Sequence, residues 1–158
     1  MITSTNSVAR RPLALRSLTV AEIMTPNPLA FPKHLPVQNV AGLLQRNGLE
    51  SAPIIDEYGR PLGLVTSASC AAWEEFSLRS NPIGFAREDL GSTPVREISS
   101  SKVETIHESA TAREAIDRLA ERRVRRIYVV DDRRVLVGVV SRADLLRHLT
   151  GRPDRPPM

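Results

Sequence analysis

Ser141 and Asp144 place a hydroxyl and a carboxylate three residues apart at the start of a predicted helix. In that spacing the serine accepts hydrogen bonds from free backbone N–H groups, and the acidic residue completes a capping box. The negative charge also favours the positive end of the helix dipole. A carboxylate has two oxygens and only accepts hydrogen bonds, so Asp144 could in addition receive two hydroxyl groups of a ligand.

A run of arginines comes shortly before the strand that leads toward this pair: Arg122, Arg123, Arg125 and Arg126. Judged on charge alone, such a run is a solvated surface patch. The alternative is phosphate contact, because a guanidinium stays charged and its planar fork can bind two oxygens at once. Both interpretations remain open at this point.

Residues suited to catalysis are sparse. The three histidines, His34, His107 and His148, are far apart in the sequence and show no spacing with cysteine that suits zinc. Glycine-rich phosphate loops of the GxxxxGK[ST] or GxGxxG kind are missing from the sequence. We therefore predict that the protein is not an enzyme, and we predict no metal site.

Two acidic pairs and one cysteine have structural explanations. Asp131 and Asp132 are typical turn residues, and Glu74 and Glu75 suit an exposed helix edge. Cys70 follows the start of a predicted helix, where packing is a better explanation than nucleophilic chemistry.

The composition bounds the class of protein. The 158 residues are 41% hydrophobic and 25% charged, which is typical of a globular protein. The net charge of +4 favours anionic partners. No apolar run approaches the roughly 20 residues of a membrane span. The arginines near the N-terminus are followed by no long apolar stretch, so we expect no secretory signal. A single cysteine fits a reducing compartment, and we expect a cytoplasmic protein with no membrane partner.

A gapless internal repeat determines the predicted fold. Residues 19–71 overlay residues 94–146 at an offset of 75, which pairs Gly63 with Gly138 and Asp56 with Asp131. The remaining pairs mostly keep apolar residues on apolar residues. A match of the whole hydrophobic pattern without a gap indicates a duplication.

Each copy is predicted to follow the order β-α-β-β-α. The second copy is the clearer one: a capping box at Thr111 and Glu114 begins a helix whose buried face holds Ala112, Ala115, Ile116, Leu119 and Ala120. In the first copy Pro36 stands near the helix start. We expect first strands at 29–31 and 103–106, hairpins at 53–56 with 61–66 and at 126–130 with 135–140, and closing helices at 67–78 and 142–149.

The fold class is therefore α/β, with two repeats related by a pseudo-twofold axis and their sheets packed against each other. A unit of about 55 residues is too small to bury its own apolar surfaces reliably. We expect an N-terminal tail at 1–17, a first repeat at 18–78, a linker at 79–93 with a helical turn near Glu88, a second repeat at 94–149, and a C-terminal tail at 150–158. Both tails are expected to be disordered.

These segments resemble a tandem pair of CBS domains, also called a Bateman module. The resemblance covers residues 18–149 and is carried by three kinds of segment, all of them in this order and spacing. They are Val20-Ala-Glu-Ile-Met-Thr-Pro at the opening, strands ending in Asp56 and Asp131, and Gly-Val-Val-Ser-Arg-Ala-Asp-Leu-Leu at 138–146.

The resemblance implies a regulatory module that binds an adenosine-containing ligand in a cleft between the repeats. AMP, ADP, ATP and S-adenosylmethionine are the expected ligands, and no cofactor is tightly required. Asp144 would accept the ribose hydroxyls with help from Ser141, and Arg125 and Arg126 would reach the phosphates. The other carried-over positions, which would complete the cleft around the adenine and the helix start, are Thr25, Ala30, Ser51, Ala52, Pro53 and Ala143.

The twin cleft is predicted to be weaker. Thr66 is kept, but Ser69 stands where the second copy has Asp144. One hydroxyl cannot make two charge-assisted bonds to a ribose. With Thr105 as a further lining residue, this second site is expected to be poor, empty or altered in its ligand.

The resemblance also implies a homodimer and a separate effector protein that receives the signal. Two other functions stay open. One is a ligand-free module that dimerises or docks on a partner. The other, less favoured, is a nucleic-acid-binding protein that uses the arginine-rich face and would show strongly salt-dependent binding.

Overall fold

A computed structural model of the chain describes residues 18–80 and 92–150. The expected N-terminal tail, the expected C-terminal tail apart from Thr150, and most of the expected linker, including the helical turn near Glu88, lie outside these residues. The described elements in chain order are α1 (Val20–Ile23), β1 (Thr25–Pro26), β2 (Phe31–Pro32), α2 (Val37–Arg46), β3 (Ser51–Ile55), β4 (Pro61–Thr66), α3 (Ser67–Ser80), the 3₁₀ helix η1 (Val95–Ile98), β5 (Thr105–His107), α4 (Ala112–Glu121), β6 (Arg126–Val130), β7 (Leu136–Ser141) and α5 (Arg142–Thr150).

The described residues form two compact units, each of mixed α/β structure with its own sheet. One unit, here called the Asp144 unit, holds residues 18–28 and 104–150. The other, the Ser69 unit, holds residues 29–80 and 92–103. Each unit thus combines the body of one repeat with the leading segment of the other repeat. The α/β class predicted from the sequence is confirmed.

In the Asp144 unit the sheet order is β1-β7-β6-β5. β7 is antiparallel to both of its neighbours, and β5 runs parallel to β6. Thr25 pairs with Val139 on one side of β7, and Arg126 pairs with Ser141 on the other side. This register brings β1 and β6 to the end of β7 that leads into α5.

The Ser69 unit has the sheet order β2-β3-β4, with β2 parallel to β3 and β3 antiparallel to β4. Leu64 of β4 and Ser100 form an isolated β-bridge. The N–H of each residue donates to the carbonyl oxygen of the other at 2.8 Å. Leu64 and Ser100 are the repeat counterparts of Val139 and Thr25. The leading segment of each repeat therefore pairs with the last strand of the other repeat in equivalent ways.

The two hairpins close with the same aspartate turn. Asp56 Oδ1 accepts the backbone N–H groups of Tyr58 and Arg60, each at 2.9 Å. Asp131 Oδ1 makes the same two contacts at 2.9 Å with the residues two and four positions ahead of it. The assignment of Asp131 as a turn residue is confirmed. The strand predicted at 53–56 begins two residues earlier, because the antiparallel pairing continues to Ser51 opposite Thr66.

Both middle helices begin where the sequence indicates. Thr111 caps α4: its N–H donates to Glu114 Oε2 at 2.8 Å, and its Oγ1 accepts the N–H of Glu114 at 3.2 Å. α2 begins directly after Pro36, which occupies the cap itself.

The buried face of α4 holds Ala112, Ala115 and Leu119, with Ile116 packed against the core. Ala120 was predicted on this face, and that prediction is wrong, since Ala120 is exposed. At 100° per residue it lies roughly 90° from the centre of the face, which puts it at the rim.

The closing helices are slightly longer than predicted and reach Ser80 and Thr150. On α3, Cys70 is 2% exposed and belongs to the core of the Ser69 unit. Burial raises the pKa of the Cys70 thiol above its ordinary value, and the charge of Glu74 raises it further. The prediction that Cys70 is packed is confirmed. None of the helices in residues 18–80 and 92–150 is long and apolar enough to cross a membrane.

Candidate nucleotide-binding site

Asp144 is a buried carboxylate in the first turn of α5, with the residue only 5% exposed. Its Oδ2 accepts the N–H of Ser141 at 2.7 Å and the Oγ–H of Ser141 at 2.8 Å. In return, the N–H of Asp144 donates to Ser141 Oγ at 3.2 Å. The capping role expected of this pair is therefore present.

The second oxygen of the same carboxylate has two further donors. Thr25 Oγ1 donates to Asp144 Oδ1 at 3.3 Å, and Arg147 Nη2 forms an ion pair with that oxygen. The Asp144 side chain is 6% exposed and that of Arg147 is 46% exposed. A buried carboxylate requires such partners, because removing an unpaired charge from water is costly.

Close backbone packing brings Thr25 to this position. β1 pairs with β7 so that Pro26 lies opposite Gly138. A Cβ atom on Gly138 would collide with Sδ of Met24, the residue before Thr25, and would lie 2.9 Å from its Cγ. The absence of a side chain at Gly138 therefore lets the leading segment approach the strand that ends at the cap.

The two arginines predicted to reach phosphate lie beside the cap. Arg126 is opposite Ser141 in the β6–β7 ladder, and the carbonyl of Arg125 accepts the N–H of Arg142 at 3.4 Å. Both side chains are exposed. Together with Thr25, Ser141 and Asp144, they place a buried carboxylate and two exposed cations around one helix start, and Ala143 is exposed in the same turn.

The remaining predicted residues of the first site belong to the Ser69 unit. Ala30 precedes β2, and the three residues from Ser51 onward begin β3. Ser51 and Ala30 are half-buried, whereas Ala52 lies in the core and Pro53 is fully buried. Ala52 and Pro53 therefore present little surface of their own to a ligand. Contact between these four residues and an adenine ring stays a prediction.

The twin position repeats the cap without the carboxylate. The N–H of Ser69 donates to Thr66 Oγ1 at 3.0 Å, and the N–H of Thr66 donates to Ser69 Oγ at 3.2 Å. The hydroxyl hydrogen of Ser69 is directed to the carbonyl of Thr66 at 2.9 Å. Thr105, at the start of β5 in the other unit, contributes its carbonyl oxygen to Arg118 at 2.6 Å. The weakness of this second site stays a prediction.

Arg147 was not identified from the sequence as part of the site. The available signal was its position three residues after Asp144 on one helix, a spacing at which opposite charges meet. The residue 75 positions earlier is Ala72, so the first repeat has neither the acid nor the base.

The structure also holds a contact of His107 that the sequence did not predict. Nδ1 of His107 lies 2.7 Å from Ser109 Oγ, and Nε2 lies 2.7 Å from Asp132 Oδ1. The N–H of Ser109 also donates to Nδ1, at 3.1 Å, and the side chain of Asp132 is 92% exposed. These contacts tie the turn after β5 to the β6–β7 hairpin. Within residues 18–80 and 92–150, no group of three or more His, Cys, Asp or Glu side chains is arranged to bind a metal ion.

A family model for the CBS domain matches the chain twice, over residues 20–73 and 95–151. Among curated proteins, the chain is 25% identical over 133 residues to the uncharacterized protein MK0525 of Methanopyrus kandleri, covering 84% of this chain and 63% of that protein. It is 24% identical over 147 residues to L-aspartate semialdehyde sulfurtransferase of Methanocaldococcus jannaschii, covering 93% of this chain and 25% of that enzyme. The chain thus spans less than two thirds of the length of these relatives.

Solved structures share the fold at low sequence identity. CbpB in complex with c-di-AMP superposes with a TM-score of 0.76 at 17% identity, covering 93% of this chain and 94% of that one. CBSX2 in complex with AMP gives 0.69 at 22% identity, covering 85% and 98%. The CBS domain pair of MJ0100 in complex with 5′-methylthioadenosine and S-adenosyl-L-methionine gives 0.62 at 23% identity, also covering 85% and 98%.

Proposed function

This chain belongs to the CBS domain family, and we propose that it is a regulatory module that binds an adenosine-containing nucleotide at Asp144. The observation that carries the proposal is the buried carboxylate of Asp144, held at a helix start with exposed arginines beside it. Such an arrangement offers a hydroxyl acceptor and phosphate ligands at neighbouring positions.

Ribose recognition is assigned to Asp144. A vicinal diol presents two donors, and a carboxylate is the side chain that can accept both without a competing donor of its own. Ser141 keeps the carboxylate oriented through two hydrogen bonds of 2.7 and 2.8 Å to one oxygen. Thr25 contributes a hydroxyl next to the other oxygen.

Phosphate recognition is assigned to Arg125 and Arg126. Arg126 begins β6 opposite Ser141, and Arg125 directly precedes it. Both are exposed, so we expect their guanidinium groups to reach an anion near the start of α5. The partial positive charge of the helix start adds to this preference. AMP, ADP and ATP are therefore favoured. S-adenosylmethionine has no phosphate, so only its nucleoside part would use this site.

The similar solved structures support the ligand class. The ligands bound in three of them, AMP, c-di-AMP and the pair 5′-methylthioadenosine with S-adenosyl-L-methionine, share an adenosine group. The carboxylate and arginines of this chain suit that shared group and its phosphates. We propose no catalytic activity, and the sulfurtransferase relative does not alter this, since the chain spans a quarter of that enzyme.

Partners belong to the same proposal. We propose a cytoplasmic homodimer that passes the ligand signal to a separate effector protein. Exposed apolar side chains on the closing helices support a protein interface: Phe76 and Leu78 on α3 are 68% and 73% exposed, and Leu146 on α5 is 60% exposed. Size-exclusion chromatography coupled to light scattering should give twice the mass of one chain. The mass of one chain at all protein concentrations would reject the dimer.

A thermal-shift screen tests the proposed function. AMP, ADP, ATP, S-adenosylmethionine, cyclic dinucleotides and NAD(H) are each added to the purified protein. A ligand at 100 times its Kd stabilises the folded state by about 2.7 kcal/mol, which raises the melting temperature of a chain this size by roughly 5–10 °C. No shift with any adenosine compound would reject the proposal. Strongly salt-dependent binding to RNA or DNA in its place would favour the nucleic-acid alternative.

A further inference from the structure

The carboxylate of Asp144 has no acceptor position to spare. A carboxylate offers about four lone-pair positions. Two on Oδ2 receive the N–H and the hydroxyl of Ser141, and two on Oδ1 receive the hydroxyl of Thr25 and the guanidinium of Arg147. A ribose that brings two hydroxyl donors must therefore displace two of these four.

The four donors differ in how readily they can leave. The bonds from Ser141 cap α5 at 2.7 and 2.8 Å, and losing them would uncover the helix start. The bond from Thr25 is 3.3 Å long, beyond the usual range for a hydroxyl donor, so it is weak. Arg147 makes the charge-assisted contact, which is the stronger kind. Arg147 is thus the main competitor for Oδ1.

We propose that Arg147 occupies the ribose position of Asp144 when no nucleotide is bound, and that nucleotide binding releases its guanidinium. This inference rests on the proposed function, because it concerns the same carboxylate. Arg147 is then a positioning residue that lowers the affinity for the nucleoside. The nucleotide state of the protein becomes coupled to the placement of a cation on the surface of α5.

Two observations support a release of this kind. The side chain of Arg147 is 46% exposed, so its guanidinium can exchange the carboxylate for water without becoming buried and unpaired. The carboxylate is only 6% exposed, so it must exchange one donor for another. The repeat adds a comparison: at the equivalent positions the first copy has Ser69 and Ala72, so the acid and the base are absent together.

The test combines two nucleosides with matched arginine variants. Calorimetry measures adenosine and 2′,3′-dideoxyadenosine binding to the wild type, to Arg147→Met and to Arg113→Met. Arg113 pairs with Asp117 on the exposed side of α4 at 3.1 Å, so its variant removes the same charge far along the sequence from the cap. Neither nucleoside carries phosphate, so the loss of one arginine does not change the affinity through phosphate attraction.

Arg147→Met should bind adenosine about two- to fivefold more tightly than the wild type does, the range expected for one partly exposed ion pair. Dideoxyadenosine should show no gain, because it has no hydroxyls to use the vacated oxygen. Arg113→Met should match the wild type with both nucleosides. If adenosine binding is measurable only with Arg147→Met, and not with the wild type or Arg113→Met, the inference is equally supported.

The opposite results are distinct. Equal gains in affinity for both nucleosides would mean that Arg147 hinders binding only sterically. Unchanged adenosine affinity would mean that Arg147 does not compete for Asp144. Either result overturns the inference and leaves the proposed function standing. Binding of neither nucleoside to any of the three proteins would overturn the inference, and the absence of any thermal shift with AMP, ADP or ATP as well would overturn the proposed function. Should Arg147→Met unfold, Arg147→Lys replaces it: its compact ammonium makes fewer contacts with Oδ1, so a smaller gain for adenosine alone is expected, and a loss would contradict the inference.

Discussion

Thr25 and Asp144 are 119 positions apart in the sequence, and their side chains meet in a hydrogen bond of 3.3 Å. The contact exists because the leading segment of the first repeat pairs with the last strand of the second repeat. The bridge between Leu64 and Ser100 repeats this pairing in the other unit. The two repeats thus have equivalent backbone pairings, but the first has Ser69 where the second has Asp144.

Ser69→Asp should create a second nucleotide site. Ser69 already holds the capping geometry that Asp144 has in the other repeat, so the substitution adds the missing carboxylate to an existing frame. Calorimetry should show the stoichiometry rising from one nucleotide to two per chain. Ser69→Asn, which adds size without charge, should leave it at one. A stoichiometry that does not change in Ser69→Asp would contradict the proposed difference between the two sites.

Gly63→Ala should destabilise the protein more than Gly138→Ala. A Cβ on Gly63 would collide with the backbone carbonyl oxygen of Ser100, whereas one on Gly138 would meet the side chain of Met24, which can move. Overpacking costs typically about 1–3 kcal/mol, so we expect Gly63→Ala near the upper limit and Gly138→Ala near the lower. Urea unfolding followed by circular dichroism measures both. Equal losses would contradict the backbone contact at Gly63.

Gly48→Ala and Arg123→Gly should change stability in opposite directions. These equivalent residues follow α2 and α4 in the left-handed region, with φ of 62° and 52°. No atom lies within 4 Å of a Cβ on Gly48, so its substitution adds backbone strain alone, about 1 kcal/mol. Arg123→Gly relieves the same strain and should stabilise by up to about 0.5 kcal/mol once the flexibility of the unfolded chain is counted. Changes of the same sign would contradict the conformation.

Cys70 should react slowly with thiol reagents in the folded protein. It is 2% exposed, and burial raises the pKa of its thiol, so its thiolate fraction at a given pH is lower than that of an ordinary cysteine. Labelling with Ellman's reagent at pH 8 should be slow in buffer and rapid in urea. Rapid labelling of the folded protein would contradict the packing of α3.

The local elements of the fold could be predicted because their determinants are local. The capping box of Thr111, the aspartate turns at Asp56 and Asp131, and the strand Arg126–Val130 all depend on residues within four positions of one another. The repeat then extended each assignment to the other copy. The edge position of Ala120 was missed because periodicity alone does not show where a buried face ends.

The pairing of the leading segments could not be predicted from periodicity, because two-residue strands such as β1 carry no pattern of their own. For the same reason the contact between Thr25 and Asp144 was reached only through the family resemblance. Arg147 was missed because a charged residue on a helix is more often solvated than paired.

Adenine-nucleotide binding by Asp144→Asn is the most direct test of the central claim. The variant keeps the shape of the side chain but removes the charge and one of the two accepting oxygens. Since hydrogen bonds to a charged group are worth about 1.5–3 kcal/mol each, calorimetry with AMP should show at least a roughly tenfold loss of affinity. Asp144→Ala should lose as much, and Asp117→Asn on α4 should bind as the wild type does. A folded Asp144→Asn protein with wild-type affinity would contradict the assignment of this carboxylate to the ribose.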